Sequence, residues 1–263
     1  MNKYFSSKYL VFLLYFLAGC TLFFLVGTIL FQYYVALGSL DKVFIAFTND
    51  RILSALWLSI ISSIVTTIAA LIFGVPLAYI FAMKQFRGKI PLETIAVDVP
   101  QTFPPVAEGM IFLLMFGHTS PFHVNLTFTF AALVIAKFFI AGPFVVSTVT
   151  RRFREIQKSG INLTARSLGA NPFQVFTTVF LPMSAGDIAA GATLCWSRAM
   201  GELGGSLIFA GVIPFKTEVL PTYIALDAKT LTTGALAATI LGTTASILAL
   251  VTFKKLTLKG ENT

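Results

Sequence analysis

Three charged side chains fall where an apolar chain should carry none. Arg198 and Glu202 interrupt one long oily stretch, and Lys137 sits inside another. A charge at the centre of a bilayer costs at least about 2.5–3.5 kcal/mol, so each needs a partner or a wet surface. Arg198 and Glu202 are four positions apart, one helical turn, and can pair on a single face. Such a pair either fixes helix packing or takes part in a pathway or gate. Lys137 has no carboxylate within a turn of its own segment, so it faces another helix, lines a pathway or snorkels to an interface. A cationic lining would suit an anionic cargo. Gly201 and Gly205 share a face beside the pair and permit close helix contact.

Nothing in the chain offers catalysis. No serine–histidine–acid or paired-carboxylate arrangement is legible, and no cofactor is implied. His118 and His123 flank one loop and lack the further ligands that a metal would need. Cys20 and Cys195 lie in separate apolar stretches and suggest neither a disulfide framework nor a metal site. Gly211 to Thr217 ends in Lys-Thr, but Phe215 stands where a phosphate-binding loop requires glycine, and the spacing is short. Any nucleotide hydrolysis must come from another chain.

The elements that position these residues are set by composition. The 263 residues are 56% hydrophobic and 11% charged, against about 25% charged in an ordinary soluble domain. Mean hydropathy is +0.85. Six apolar blocks are long enough to cross a bilayer: about 9–35, 52–83, 94–117, 127–149, 184–210 and 233–253. They leave no room for a soluble domain, so the chain reads as one all-α, polytopic membrane unit over residues 1–263. The first block imitates a lipoprotein signal at Leu17-Ala18-Gly19-Cys20, yet the oily run continues past the cysteine, so it reads as a retained span.

The third block is the weakest. Pro100, Pro104 and Pro105 crowd its first half, and the oily stretch from Val106 to Gly117 makes only about 18 Å of helix. That cannot cross about 30 Å of hydrocarbon, so the preceding segment must lie at membrane depth, shielded by protein or lining a wet cavity. Broken helices of this kind often mark a translocation path; the plainer reading is a proline kink within a bundle. A second kink is expected at Gly74-Val75-Pro76.

The net charge of +8 follows the topology. With six crossings, thirteen lysines and arginines share the side of the termini and of the second and fourth loops, and four lie opposite, namely Lys42, Arg51, Lys216 and Lys229. By the positive-inside rule both termini are cytoplasmic. The basicity needs no nucleic acid to explain it.

The cytoplasmic loop 150–183 has a construction of its own. Leu163, Thr164, Ala165, Arg166, Ser167 and Leu168 make a short helix, Gly169 suits the left-handed position that ends it, and Asn171 caps a second helix with Pro172 at its first position. Phe173, Phe176, Val179 and Phe180 then form an apolar stripe. The result is a rigid knuckle presented to the cytoplasm, more than a connection between spans requires.

On these residues the chain resembles the permease subunits of ATP-binding-cassette importers. Their signature is Glu-Ala-Ala, three residues, Gly, nine residues, Ile-x-Leu-Pro. It aligns with Leu163-Thr164-Ala165, Gly169 and Val179-Phe180-Leu181-Pro182, with the spacings kept and leucine in place of glutamate. The stretch from Arg198 to Gly205, Phe209 to Pro221, and Phe103-Pro104-Pro105 are similar to the molybdate, tungstate and sulfate branch. The resemblance implies a type I importer permease fold in the plasma or inner membrane, with Leu163–Gly169 as the coupling helix. It implies two copies of a separate ATPase subunit, a second permease copy as homodimer, and an extracytoplasmic oxyanion-binding protein. Arg198, Glu202, Lys137, Pro104 and Pro105 are then candidates for pathway, gate or intramembrane ion pair. Molybdate or tungstate is the expected cargo, with sulfate or thiosulfate as the alternative. An ion-coupled secondary transporter using Arg198, Glu202 and Asp98 would leave the knuckle unexplained.

Overall fold

The computed structural model describes residues 2–38, 40–227 and 233–261, and among them it is helical with no strand. Lys229, counted above on the side opposite the termini, lies outside the described residues. Helix α1 covers Asn2–Leu37, α2 Leu40–Phe47 and α3 Asp50–Met83. Two segments, α4 (Lys89–Thr102) and α5 (Pro105–Phe116), follow as a bent pair. Then come α6 (Phe130–Lys158), α7 (Ile161–Ser167), the bent pair α8 (Pro172–Met183) and α9 (Ala185–Met200), α10 (Leu220–Asp227) and α11 (Thr233–Glu261).

Four helices, α1, α3, α6 and α11, are each long and apolar enough to cross a membrane, and up to six crossings result if each bent pair makes one. Two of the long ones, α3 and α6, begin where the sequence supplies caps. The Asn49 side chain accepts from the amides of Arg51 and Ile52, and Thr129 accepts from Ala132. At Gly74-Val75-Pro76, where a kink is expected, α3 continues as one helix with Pro76 inside it. Gly74 packs closely there: a β-carbon would stand 3.2 Å from the Val146 side chain of α6.

α3 and α6 form the centre of the fold, with α9 against both. Small residues at the contact, Ala70, Ala78, Ala141 and Ala199, are fully buried and let the helices approach closely. At one end Tyr79, Phe153, Phe176 and Phe180 meet edge to face, with centroids 4.9–6.3 Å apart. This aromatic box ties α3 and α6 to α8. α1 stands apart, with none of its most apolar window buried within the chain.

The third and fifth blocks depart from simple spans. α4 and α5 meet at 116°, with Phe103 and Pro104 extended between them. α8 and α9 meet at 70°, and α9 stops at Met200 instead of running on to 210. Gly201, Gly204 and Gly205 fall within five positions, and each weakens helix propagation. The chain resumes as a single π-helical turn, Ser206–Ala210.

Candidate functional site

The early stop of α9 decides where Glu202 goes. One helical turn beyond Arg198 it would sit on the same face, but the α-helix ends at Met200 in a tighter turn, the Glu202 amide returning to the Ala199 carbonyl at 3.3 Å, and Arg198 and Glu202 form no ion pair. The expected pairing is therefore corrected. The Glu202 carboxylate is 1% exposed and folds forward to cap the following turn. It accepts from the amide of Gly205 at 2.8 Å, from the amide of Ser206 at 3.0 Å and from the Ser206 hydroxyl. A carboxylate on amides that begin a helical turn is well placed electrostatically, so Glu202 has its partners without an arginine.

Glu202→Ala would leave those donors buried and unmatched, at about 1–3 kcal/mol for each stranded group. The thermal midpoint of the purified chain, followed by tryptophan fluorescence in detergent, should fall by on the order of 10 °C. Glu202→Gln, which keeps one acceptor oxygen, should fall by less. A midpoint unchanged by Glu202→Ala would remove the cap from the account.

Lys137 takes the first of the readings left open for it. Fully buried on α6, its ammonium donates to Ser62 Oγ at 2.7 Å, Ser63 Oγ at 3.1 Å and the Ser59 carbonyl at 3.4 Å, all on α3. Within this chain it pins two helices together and lines no surface. The serines recur at the three- and four-residue spacing of one helix face, a polar stripe on an oily helix that does signal a buried cation opposite. Ser59 also accepts from the amide of Leu220 at 2.7 Å, joining the same cluster to α10.

A further buried charge is Glu108, on the first turns of α5 and 1% exposed, and neither of its oxygens has a hydrogen-bond partner. Arg198 and Glu202 both lie within its Coulombic range. Its neighbourhood is tightly packed. A β-carbon on Gly205 would stand 2.6 Å from Ala136 and 3.0 Å from Glu108 Oε1. One on Gly109 would meet Ile208 at 2.8 Å, and one on Gly204 would meet the Pro105 carbonyl oxygen at 2.2 Å. The two broken elements thus lock backbone to backbone, the glycine break after α9 against the proline bend before α5. Pro104 and Pro105 hold one side of this joint and Gly204 and Gly205 the other. Gly201, expected to pack beside Gly205, faces open space, its nearest atom in that sense being a carbonyl 4.0 Å away.

A second feature lies at the other end of the sequence argument. α7 carries Leu163, Thr164, Ala165, Arg166 and Ser167, and Leu168 closes it. Gly169 adopts φ 90°, and the amides of Gly169 and Ala170 return to the carbonyls of Arg166 and Ala165, the paired bonds of a Schellman stop. Asn171 and Gln174 then cap α8 reciprocally. Leu163 is 62% exposed and Leu168 85%. Two leucines held out from a rigid turn, away from the apolar body, make a surface built to be covered. Phe173, expected in the apolar stripe, is exposed as well, and Val175 and Phe180 take the buried places.

One pair not found from sequence braces the end of α3 far from the knuckle. Arg51 donates to Glu218 from Nε at 2.8 Å and Nη2 at 2.7 Å, and its guanidinium lies 5.3 Å from the Tyr223 ring. Glu218 is 1% exposed.

Comparison with known proteins bears on the chain as a whole. A family model described as the binding-protein-dependent transport system inner membrane component matches residues 71–257. A molybdate/tungstate transport system permease protein of Thermococcus kodakarensis is 32% identical over 162 residues, covering 62% of each chain. A probable molybdenum transporter permease of Haloferax volcanii is 33% identical over 73% of this chain and 74% of its own. A sulfate transport system permease of Synechocystis is 29% identical over 87% of this chain and 84% of its own. The match thus spans about three-fifths of the Thermococcus protein's length. Among solved structures, a bacterial importer of the acidic polysaccharide alginate superposes with TM-score 0.72 at 14% identity, over 98% of both chains. The methionine importer MetNI superposes with TM-score 0.59 at 16% identity, over 80% of this chain and 95% of its own. At these identities the likeness is one of fold.

Proposed function

Because the chain belongs to the family of binding-protein-dependent transport system inner membrane components, we propose that it is the permease subunit of an ATP-driven importer of molybdate or tungstate. The whole chain acts as one membrane unit. Two copies enclose the pathway, an external binding protein delivers the dianion, and two ATPase subunits grip the knuckles Leu163–Gly169 from the cytoplasm. ATP hydrolysis belongs to those partners. Both termini lie in the cytoplasm, and the membrane is the plasma or inner membrane.

The observation that carries this reading is the knuckle itself. A turn held by a Schellman stop and a capping box, with Leu168 almost wholly exposed, can transmit a push without deforming. The aromatic box under α8 passes that push to α3 and α6. The joint between Gly204 and Pro105 then passes it to both broken spans, whose bends cannot change independently. The charges Lys137 and Glu202 are satisfied within the chain and leave the passage itself weakly polar. That suits a cargo handed over by a dedicated binding protein.

Sulfate is the second reading, favoured equally by the named relatives. Uptake of labelled molybdate, tungstate and sulfate, in a strain lacking only this chain and complemented with it, separates the two. Molybdate or tungstate uptake resisting a hundredfold excess of sulfate is the expected result. Sulfate uptake resisting molybdate would transfer the proposal to the alternative. Uptake that continues without any ATPase partner would end it.

A further inference from the structure

The last turns of α6 face α4 across a polar cavity of about 350 Å³. Arg151, Arg154 and Lys158 line it from α6, and Glu93 and Asp98 from α4. Glu93 holds Arg154 at 2.5 Å, and Glu155, also at the rim, is held by Arg152 at 3.1 Å. Among the described residues Arg151, Lys158 and Asp98 form no ion pair, so the six charges on the lining balance and two cations are left unpaired against one carboxylate. Thr150 lines it too, 2% exposed, and its hydroxyl has no hydrogen-bond partner. A buried, unmatched donor beside two unpaired cations, with Asp98 across the cavity on α4, can hold a phosphate-type oxyanion on the α6 side.

A second cavity of about 430 Å³ lies toward the middle of α6, where Ala96 of α4 and Val146 of α6 line it next in sequence to Val97 and Ser147 of the first. Its walls are almost wholly apolar, among them Ile95 and Pro100 of α4, Phe138 and Gly142 of α6, and Phe73 of α3. In a helix that spans a bilayer, the charged end lies at headgroup depth and the apolar turns before it at acyl depth. Ile95 of α4, on the lining of the apolar cavity, is 61% exposed, and Ile90 earlier on the same segment is 78% exposed, an apolar flank open to lipid.

We propose that the two cavities together hold one anionic phospholipid. Its phosphate sits between Arg151 and Lys158 and accepts from the Thr150 hydroxyl, and an acyl chain lies along Phe73, Phe138 and Gly142. The proposal rests on the membrane embedding of α6 and is independent of the cargo.

The full chain, purified in mild detergent and equilibrated with phosphatidylglycerol and phosphatidylcholine of identical chains, is examined by native mass spectrometry. One phosphatidylglycerol should be retained in preference. Arg151→Gln with Lys158→Gln should lower that retention at least about tenfold, since each cation near an anionic headgroup contributes severalfold. Thr150→Val should lower it by less. Gly142→Leu tests the tail separately: its β-carbon would meet only the Phe138 ring, at 3.6 Å, and the rest enters the apolar cavity. It should weaken retention while leaving the thermal midpoint in place. Equal retention of the two lipids, or full retention by the double variant, overturns the proposal. So does displacement by millimolar inorganic phosphate with Gly142→Leu silent, which would mark a site for a free anion.

Discussion

Gly204→Ala should abolish transport and sharply reduce the yield of folded chain, while Gly201→Ala, three positions earlier, should leave both near the native level. The contrast follows from what each new methyl group meets. At Gly204 it would stand 2.2 Å from the carbonyl oxygen of Pro105, 2.3 Å from the carbonyl carbon and 2.5 Å from the Pro105 β-carbon. Two of these are backbone atoms, and the proline ring fixes φ on that side, so no rotamer change relieves the overlap. The two segments must separate, which opens Glu108 and Glu202 as well. Overpacking of this kind costs about 3 kcal/mol or more. At Gly201 φ is −92° and the nearest atom is 4.0 Å away, so alanine fits without strain. Size-exclusion yield in detergent and uptake of the labelled oxyanion, measured on both variants, read the difference. Normal uptake by Gly204→Ala would mean that the joint is not formed.

That joint marks the boundary of what could be read from sequence. The long helices α1, α3, α6 and α11 follow from the length of their apolar runs, and the knuckle follows from Gly169, Asn171 and Pro172, because both are governed by neighbours within a few residues. Pro104 and Pro105 announced a break, though not a 116° bend. Glu202 was misplaced for a definite reason: the four-residue spacing to Arg198 means a shared face only if the helix continues, and the glycines at 201, 204 and 205 end it. Glu108 stands three residues after Pro105, but its burial against Gly205 depends on a contact nearly a hundred residues distant. The Ser59, Ser62 and Ser63 stripe could have been matched to Lys137 by periodicity. Arg51 and Glu218 are 167 positions apart and carry no such pattern.

Leu168→Asp should abolish transport while leaving the chain itself intact, because Leu168 is the most exposed leucine of the knuckle and supports nothing beneath it. At 85% exposure its replacement should move the thermal midpoint of the isolated chain hardly at all; surface changes of this kind stay within about 0.5 kcal/mol. The cost would fall on the partner. Burying a leucine contributes about 1.5–3 kcal/mol to a contact, and a carboxylate in the same apolar cleft adds its own desolvation. Co-purification of the ATPase subunit should therefore fall at least about tenfold, with uptake at background. Gly169→Ala supplies a graded companion. No atom lies within 4 Å of the new methyl group, so its whole effect is the strain of a left-handed alanine at φ 90°. That strain is on the order of 1–2 kcal/mol, enough to tilt Leu168 and slow transport without eliminating it. Full strain-free transport by Gly169→Ala, or an ATPase subunit still bound to Leu168→Asp, would show that force enters the chain elsewhere. The order expected is native, then Gly169→Ala, then Leu168→Asp, with stability of the isolated chain nearly level across all three. A loss of function that tracks an interface, with stability flat, is what separates a transmitting surface from a folding defect.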